Sequence, residues 1–204
     1  MRRAASMAFA PLMHVFPGGR VDHRDYDVDV TFVGPDGELQ RLAKRASTDL
    51  AGLCALYACA VREMAEETGV VLAAVGSDGG IVIDAIAMPI VDHWVTPVME
   101  GHRYDVRFFA ALLPAGQVAR LTTTEADHVE WILAAAAVER FARGDLAMLP
   151  PTITMLQYLT GFADCAALLA DAAVRPVVPL LPTRSVHPDG RVEWTMVHDT
   201  EGRP

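Results

Sequence analysis

Three glutamates lie close together in the chain: Glu63, Glu66 and Glu67. At about 100° of rotation per residue, a helix would place their carboxylates within an arc of roughly 100°. Like charges at this spacing destabilise a helix, and a hard cation such as Mg²⁺, which prefers oxygen ligands, would remove the repulsion. Arg62 lies about 40° from Glu66 and can hold a carboxylate in place. The other reading of the pattern is a solvated acidic helix face that binds nothing.

The residues before these glutamates predict the helix that carries them. Thr48 or Asp49 can cap its start, the pattern continues to Glu67, and Gly69 supplies a stop. The apolar stripe of this helix comprises six residues: Leu53, Leu56, Tyr57, Ala60, Val61 and Met64.

The segment from Arg62 to Val70 resembles the second half of the Nudix box, R-E-U-x-E-E-x-G-U with U an aliphatic residue, at every specified position. The first half does not precede it directly. The box glycine, fourteen positions before the arginine, is replaced by Thr48, and the box glutamate by Cys54. Asp22 or Asp25 would have to substitute for that glutamate.

An earlier segment resembles the missing glycine turn of the box: Phe16-Pro17-Gly18-Gly19. It lies 43 positions before Arg62, so that 29 residues are inserted into the box. A box split in this way resembles the Nudix subgroup that contains the peroxisomal acyl-CoA diphosphatases. Three further stretches resemble that subgroup in the same order, and the likeness covers most of residues 14 to 160: Trp94 to Pro97, Arg103 to Phe109 and Leu149 to Thr152.

The resemblance implies an α/β (α+β) fold with a mixed β-sheet between helices. We expect a domain over residues 1–174, with an insert at about 20–53, and a C-terminal extension over 175–204 that forms a hairpin. The Nudix fold begins with strands before the glycine turn, whereas only thirteen residues precede His14. An N-terminal strand is therefore expected to be missing, or else the start codon is placed too far downstream.

The resemblance also implies roles for the box residues. Glu63, Glu66 and Glu67 would ligate Mg²⁺ or Mn²⁺, with Arg62 and Glu63 among the catalytic residues. The backbone of Gly18 and Gly19 would lie close to the metal helix and to the substrate, because glycine has no Cβ in the way.

Residues outside the box are further candidates. Glu125 is the predicted catalytic carboxylate, although Asp127 and Glu130 in the same region are alternatives, and all three also suit a polar loop with a helix cap. Arg103 and Arg107 share one face of a predicted strand, where they would bind a substrate phosphate or form surface salt bridges.

The remaining pattern predicts an alternation of strands and helices. The strands are expected at 29–33, 38–42, 70–75, 81–86, 104–113 and 192–197, with turns at Gly34 to Gly37, Gly79-Gly80 and His187 to Gly190. The helices are expected at 131–142 and 154–173, with a hinge at Leu149-Pro150-Pro151.

Composition narrows the partners of the protein. A net charge of −9 and a pI of about 5.1 argue against nucleic acid, whose phosphates attract clustered cations. No apolar run is long enough to span a bilayer, and the odd, irregularly spaced Cys54, Cys59 and Cys165 indicate reduced thiols in the cytoplasm. An unpaired sheet edge would give a reason to form a homodimer.

These features predict a metal-dependent hydrolase of a diphosphate linkage in a small-molecule nucleoside-diphosphate derivative. The subgroup likeness favours CoA or acyl-CoA as the substrate. Two alternatives are a Nudix hydrolase of another nucleoside-diphosphate metabolite and a catalytically silent sensor that binds a nucleotide without turnover.

Overall fold

The structure is a computed structural model that describes residues 1–34, 37–77, 79–96 and 103–187, and the backbone of residues 192–198. Its helices are α1 (Glu38–Arg45), α2 (Leu50–Thr68), α3 (Ala134–Ala142), α4 (Pro150–Leu159) and α5 (Cys165–Val174), with a 3-10 helix at His23–Asp27. Its strands are β1 (Arg2–Arg3), β2 (Val30–Val33), β3 (Ala74–Val75), β4 (Ile81–Asp84), β5 (Ile90–Val95), β6 (Asp105–Phe109), β7 (Ala126–His128), β8 (Leu180–Val186) and β9 (Val192–His198).

Helix α2 confirms the predicted helix and its two end signals. The Asp49 side chain accepts a hydrogen bond from the Gly52 amide at 2.8 Å, and Gly69 ends the helix with a left-handed φ of 71°. Tyr57, from the predicted apolar stripe, is fully buried and packs edge-on against Phe32 and Phe109. The stripe therefore fixes which face of the helix turns toward solvent.

The strands form three sheets, in the orders β1-β7, β2-β4-β3 and β6-β5-β8-β9. Pairing is mixed, because β2 with β4 and β5 with β8 are parallel whereas the other pairs are antiparallel. The largest core lies where α1 and α2 cover β4 and β5, and it includes Leu42, Leu53, Ile83 and Ile90. The mixed α/β class predicted from the sequence is confirmed.

The N-terminal residues form a strand after all, although a short one. Arg2 and Arg3 pair antiparallel with β7, and the Arg2 side chain lies 2.7 Å from Asp127. The expectation of a missing N-terminal strand is therefore corrected to a two-residue strand at the edge of β7.

The expected strand at residues 38–42 is wrong, because this segment is helix α1. Gly37 takes a left-handed φ of 80° at the start, and Leu42 and Ala43 then bury one helical face in the core. Without that hairpin partner, β2 pairs in parallel with β4. Residues 30–33 of the expected insert thus belong to a sheet and not to an excursion outside it.

The expected long helix over 154–173 is two helices. Pro150 and Pro151 open α4 at its first positions, where proline costs no hydrogen bond, so they begin a helix instead of forming a hinge before one. Asp164 caps α5 by accepting a hydrogen bond from the Ala167 amide at 2.8 Å. A helix capped at Asp164 cannot be continuous with α4.

The other expected elements are confirmed at shorter lengths. The tail hairpin is the antiparallel pair β8 and β9, which joins the main sheet through a parallel contact between Leu180 and Trp94. Some residues named in the predicted turns and motifs lie outside the described ranges: Pro35, Asp36, Pro97, Pro188, Asp189 and Gly190. Within the ranges that are described, none of the helices is both long enough and apolar enough to cross a membrane.

Candidate active site

The glycine turn lies against the acidic face of α2. The Gly18 amide donates a hydrogen bond to Oε2 of Glu67 at 2.7 Å, and the Gly19 carbonyl lies 3.8 Å from Sγ of Cys59. A Cβ added at Gly19 would overlap the Glu63 carboxylate. The two halves of the split box therefore meet in space, as predicted, and only glycine leaves room for the approach.

Glu67 is the most buried of the three box glutamates, with 6% of its surface exposed. Burial, together with the nearby charges of Glu63 and Glu125, raises its pKa to about 7, although the Gly18 amide opposes that rise. An acidic side chain in such a position has a strong electrostatic need for a cation.

Arg62 is the hub of the charged network. Its Nε and Nη2 each lie 2.8 Å from an oxygen of Asp25, and Nη2 also donates to the Arg20 carbonyl. Its Nη1 lies 2.6 Å from Glu63 and 3.2 Å from Glu66. Hydrogen bonds from Asp25 and Glu63 hold the pKa of Arg62 above its already high value.

Glu66 has a different environment from its two neighbours. Its side chain is 49% exposed, and its second oxygen lies 3.2 Å from Nη2 of Arg24. Glu63 and Glu67 thus face the glycine turn, whereas Glu66 is held by two arginines on the side of the 3-10 helix. Sequence reasoning did not find Arg24, because nothing in its spacing relates it to a residue 42 positions away.

The donor chemistry of this face fits a divalent metal. Its side-chain donors are carboxylate oxygens, which Mg²⁺ and Mn²⁺ prefer, and the gap above Glu63 is one that a Cβ at Gly19 would fill. Among the described residues, however, no three acidic, histidine or cysteine side chains are already gathered around one point. Glu63 and Glu67 fit such an ion directly, whereas Glu66 would have to leave its arginine partners.

The structure separates the three carboxylates proposed outside the box. Asp127 pairs with Arg2 at 2.7 Å and Glu130 with Arg140 at 3.1 Å. Glu125 is exposed, and its charge acts on Glu67. Of the three, Glu125 has the position closest to the role expected from the sequence.

The two strand arginines are placed differently from the expectation. Arg107 is buried by its partners: Nε and Nη2 donate to the Ala46 carbonyl at 3.0 and 2.8 Å, and Nη1 lies 2.7 Å from Asp105. Arg103 is exposed, with its Nε 3.4 Å from the Thr96 carbonyl. The structure thus gives Arg107 a structural set of partners, and the site proposed below is built without it.

The cysteines do not form a thiolate centre. Burial, with Asp25 nearby, raises the pKa of the Cys59 thiol to about 12, so it stays protonated at neutral pH. Cys54 is half-buried and Cys165 is exposed, and both are free thiols. Oxygen ligands, not sulfur, carry the chemistry available on this face.

Comparisons with known proteins agree with this geometry. No protein-family model matches the chain. The chain is similar to the acyl-coenzyme A diphosphatase NUDT19 of Gallus gallus, with 24% identity over 266 aligned positions that cover 95% of this chain and 69% of that protein. It is also similar to the crystal structure of a NUDIX hydrolase from Alicyclobacillus acidocaldarius, with a TM-score of 0.65, 25% identity, and coverage of 83% of this chain and 85% of the other.

Proposed function

Because the chain belongs to the Nudix hydrolase superfamily and is a Nudix-type enzyme, we propose that it hydrolyses the diphosphate linkage of a nucleoside-diphosphate derivative with the help of a divalent metal. One observation carries the proposal. Glu63 and Glu67 converge on the backbone of Gly18 and Gly19, although more than 40 positions of chain separate the two segments.

The roles of the side chains follow from their positions. Glu63 and Glu67, joined by Glu66, would hold Mg²⁺ or Mn²⁺. When bound there, the ion supplies positive charge to the diphosphate oxygens and lowers the pKa of water. Arg62 holds Glu63 and Glu66 by its Nη1, and Glu125 is the candidate base that takes a proton from the attacking water. Water adds to one phosphorus, the bridging P–O bond breaks, and two phosphate groups result.

CoA or acyl-CoA is the proposed substrate class. The proposal rests on the split box and on the similarity to a protein named acyl-coenzyme A diphosphatase. Cleavage would release 3′,5′-ADP together with 4′-phosphopantetheine or its acyl derivative. Another nucleoside-diphosphate metabolite is the alternative substrate, because the similar solved structure carries only the name NUDIX hydrolase.

The test is turnover of a substrate panel with Mg²⁺ or Mn²⁺. The panel contains CoA, one short and one long acyl-CoA, ADP-ribose and a dinucleoside polyphosphate, with products identified by mass spectrometry and EDTA as the metal-free control. We expect EDTA-sensitive release of 3′,5′-ADP from the CoA compounds. Hydrolysis of ADP-ribose alone would reassign the substrate. Nucleotide binding without hydrolysis of any member would replace the enzyme by the silent sensor.

A further inference from the structure

Asp25 is the most deeply buried charged group near the box helix, with 1% of its surface exposed. It belongs to the segment inserted between the two halves of the box and lies in the 3-10 helix His23–Asp27. Its Oδ2 accepts a hydrogen bond from the Asp22 amide at 2.7 Å. The inserted segment therefore holds this carboxylate in one orientation.

The partner of Asp25 is Arg62, through two parallel contacts of 2.8 Å that join Oδ1 to Nε and Oδ2 to Nη2. A forked contact of this kind fixes the plane of the guanidinium as well as its position. The fixed plane leaves Nη1 directed at Glu63 and Glu66. The orientation of two candidate metal ligands thus depends on Asp25 through one arginine.

Asp25 also supplies a charge that the box itself lacks. The position of the box glutamate is taken by Cys54, on the first turn of α2, eight residues before Arg62. Without Asp25, Arg62 would lose its bidentate partner and would have Glu63 and Glu66 as its remaining side-chain carboxylates. A guanidinium free to rotate onto those glutamates would compete with a metal ion for their oxygens.

We propose that Asp25 is a positioning residue, which by holding Arg62 in a bidentate pair keeps Glu63 and Glu66 available to a divalent metal. The inserted segment is then part of the active centre and not a loop beside it. This inference rests on the proposed function, because it assumes that these glutamates bind the metal. The competing view is a buried salt bridge that only anchors the insert to α2, and that view predicts an effect on stability alone.

The test compares Asp25→Asn with a control that weakens the same helix at another point. Asp25→Asn keeps the shape of the side chain and removes the charge. Asp49→Ala removes the N-cap of α2, well away from Arg62, and lowers the melting temperature without touching the site. Circular dichroism confirms folding, isothermal titration measures Mn²⁺ binding, and kcat and KM are measured at several Mn²⁺ concentrations.

We expect Asp25→Asn to weaken Mn²⁺ binding and to raise the Mn²⁺ concentration needed for half-maximal kcat by about 10- to 100-fold, the usual effect of losing a partner of a metal ligand. KM at saturating Mn²⁺ should change little, and Asp49→Ala should leave the Mn²⁺ response unchanged. Arg62→Lys, which cannot form the fork, should give a similar loss. Adding Asp25→Asn to Arg62→Lys should cost no more than either change alone, because the two residues act as one unit.

The outcomes separate this inference from the proposed function. A wild-type protein that hydrolyses its substrate, with Asp25→Asn showing the same Mn²⁺ response and only a lower melting temperature, overturns the positioning role and leaves the enzyme assignment standing. Losses that add in the double variant also overturn it. A wild-type protein that neither hydrolyses the panel nor binds Mn²⁺ overturns both.

Discussion

Neighbouring glutamates in this chain have opposite electrostatic environments. Glu67 is buried near Glu63 and Glu125, so its charge is opposed by its surroundings. Glu66 is half-exposed and paired with Arg24 and Arg62, so its charge is already compensated. The same substitution at the two positions should therefore have different effects on stability.

Glu67→Gln should lower kcat by at least about 10²-fold, because it removes an anion from the proposed metal site. Glutamine can still accept the hydrogen bond of the Gly18 amide, and repulsion from Glu63 and Glu125 is relieved. The melting temperature without metal should hold or rise. A normal rate with a lower melting temperature would indicate that Glu67 is only structural.

Glu66→Gln should lower kcat by a similar factor and should also lower the melting temperature slightly, since two exposed ion pairs are lost. Glu139→Gln is the matched control, because it breaks a comparable exposed pair with Arg143 on α3. The control should share the small loss of stability and keep full activity. Full activity in Glu66→Gln would remove this residue from the metal site.

At the scale of elements, the site depends on how closely the glycine turn approaches α2. Gly18 needs glycine for its backbone, with a φ of 149°, and a Cβ there would meet open space. At Gly19 a Cβ would instead overlap the Glu63 carboxylate. The two glycines therefore serve different purposes, one conformational and one steric.

Gly19→Ala should reduce kcat by about tenfold or more, because displacing a catalytic group by about 1 Å can cost 10²-fold. Gly18→Ala should mainly reduce stability, by about 1–3 kcal/mol of backbone strain. Kinetics at saturating metal and urea unfolding of both variants give the comparison. Equal effects of the two substitutions on kcat and on stability would contradict this division.

The pairing of β5 with β6 contains a second charged cluster. Nε2 of His93 lies 2.5 Å from Oδ1 of Asp105, and Nη1 of Arg107 lies 2.7 Å from the same oxygen. Burial alone would raise the pKa of Asp105, but the hydrogen bonds from His93 and Arg107 outweigh it and lower the pKa to about 2. This carboxylate therefore stabilises the fold in its ionised form.

Asp105→Asn should destabilise the protein at pH 7 by at most about 1 kcal/mol, because solvent screens a side chain that is 56% exposed. A depressed pKa in the fold means that the stabilisation is present above the ordinary value of 3.8 and is lost as the pH falls from there toward 2. Urea unfolding of wild type and variant at pH 7, 4 and 2.5 should show the two converging. A difference that stays constant with pH would rule out the ion pair as its cause.

At the scale of the whole molecule, the tail completes the main sheet without contributing to the site as described. Strand β8 covers the edge of β5. Before it, Arg175 donates to the Val91 carbonyl and Val177 packs against the main core. The expected boundary at residue 174 thus falls just before residues that the core uses.

Ending the chain after Val174 should lower the melting temperature more than ending it after Val178, because only the longer form keeps Arg175 and Val177. Both forms expose the edge of β5 and should self-associate. Activity per folded molecule should be retained, which size-exclusion chromatography with light scattering and a turnover assay can measure together. Loss of activity in both soluble forms would place the tail in the site.

Much of the local structure was determined by the sequence alone. Asp49 and Gly69 mark the ends of α2 through capping chemistry that depends only on adjacent residues. The acidic face followed from helical geometry, and the family resemblance linked it to the glycine turn. Where the local pattern was ambiguous, as in residues 38–42, packing of Leu42 and Ala43 against the core decided for a helix.

Only the tertiary structure decided which distant charges meet. The sequence offered Asp22 and Asp25 as equal substitutes for the absent box glutamate, and the fold selects Asp25 by burying it against Arg62. It likewise gives Arg107 to the Ala46 carbonyl and to Asp105. Such choices depend on burial, which makes an unpaired charge costly and so selects its partner from residues far along the chain.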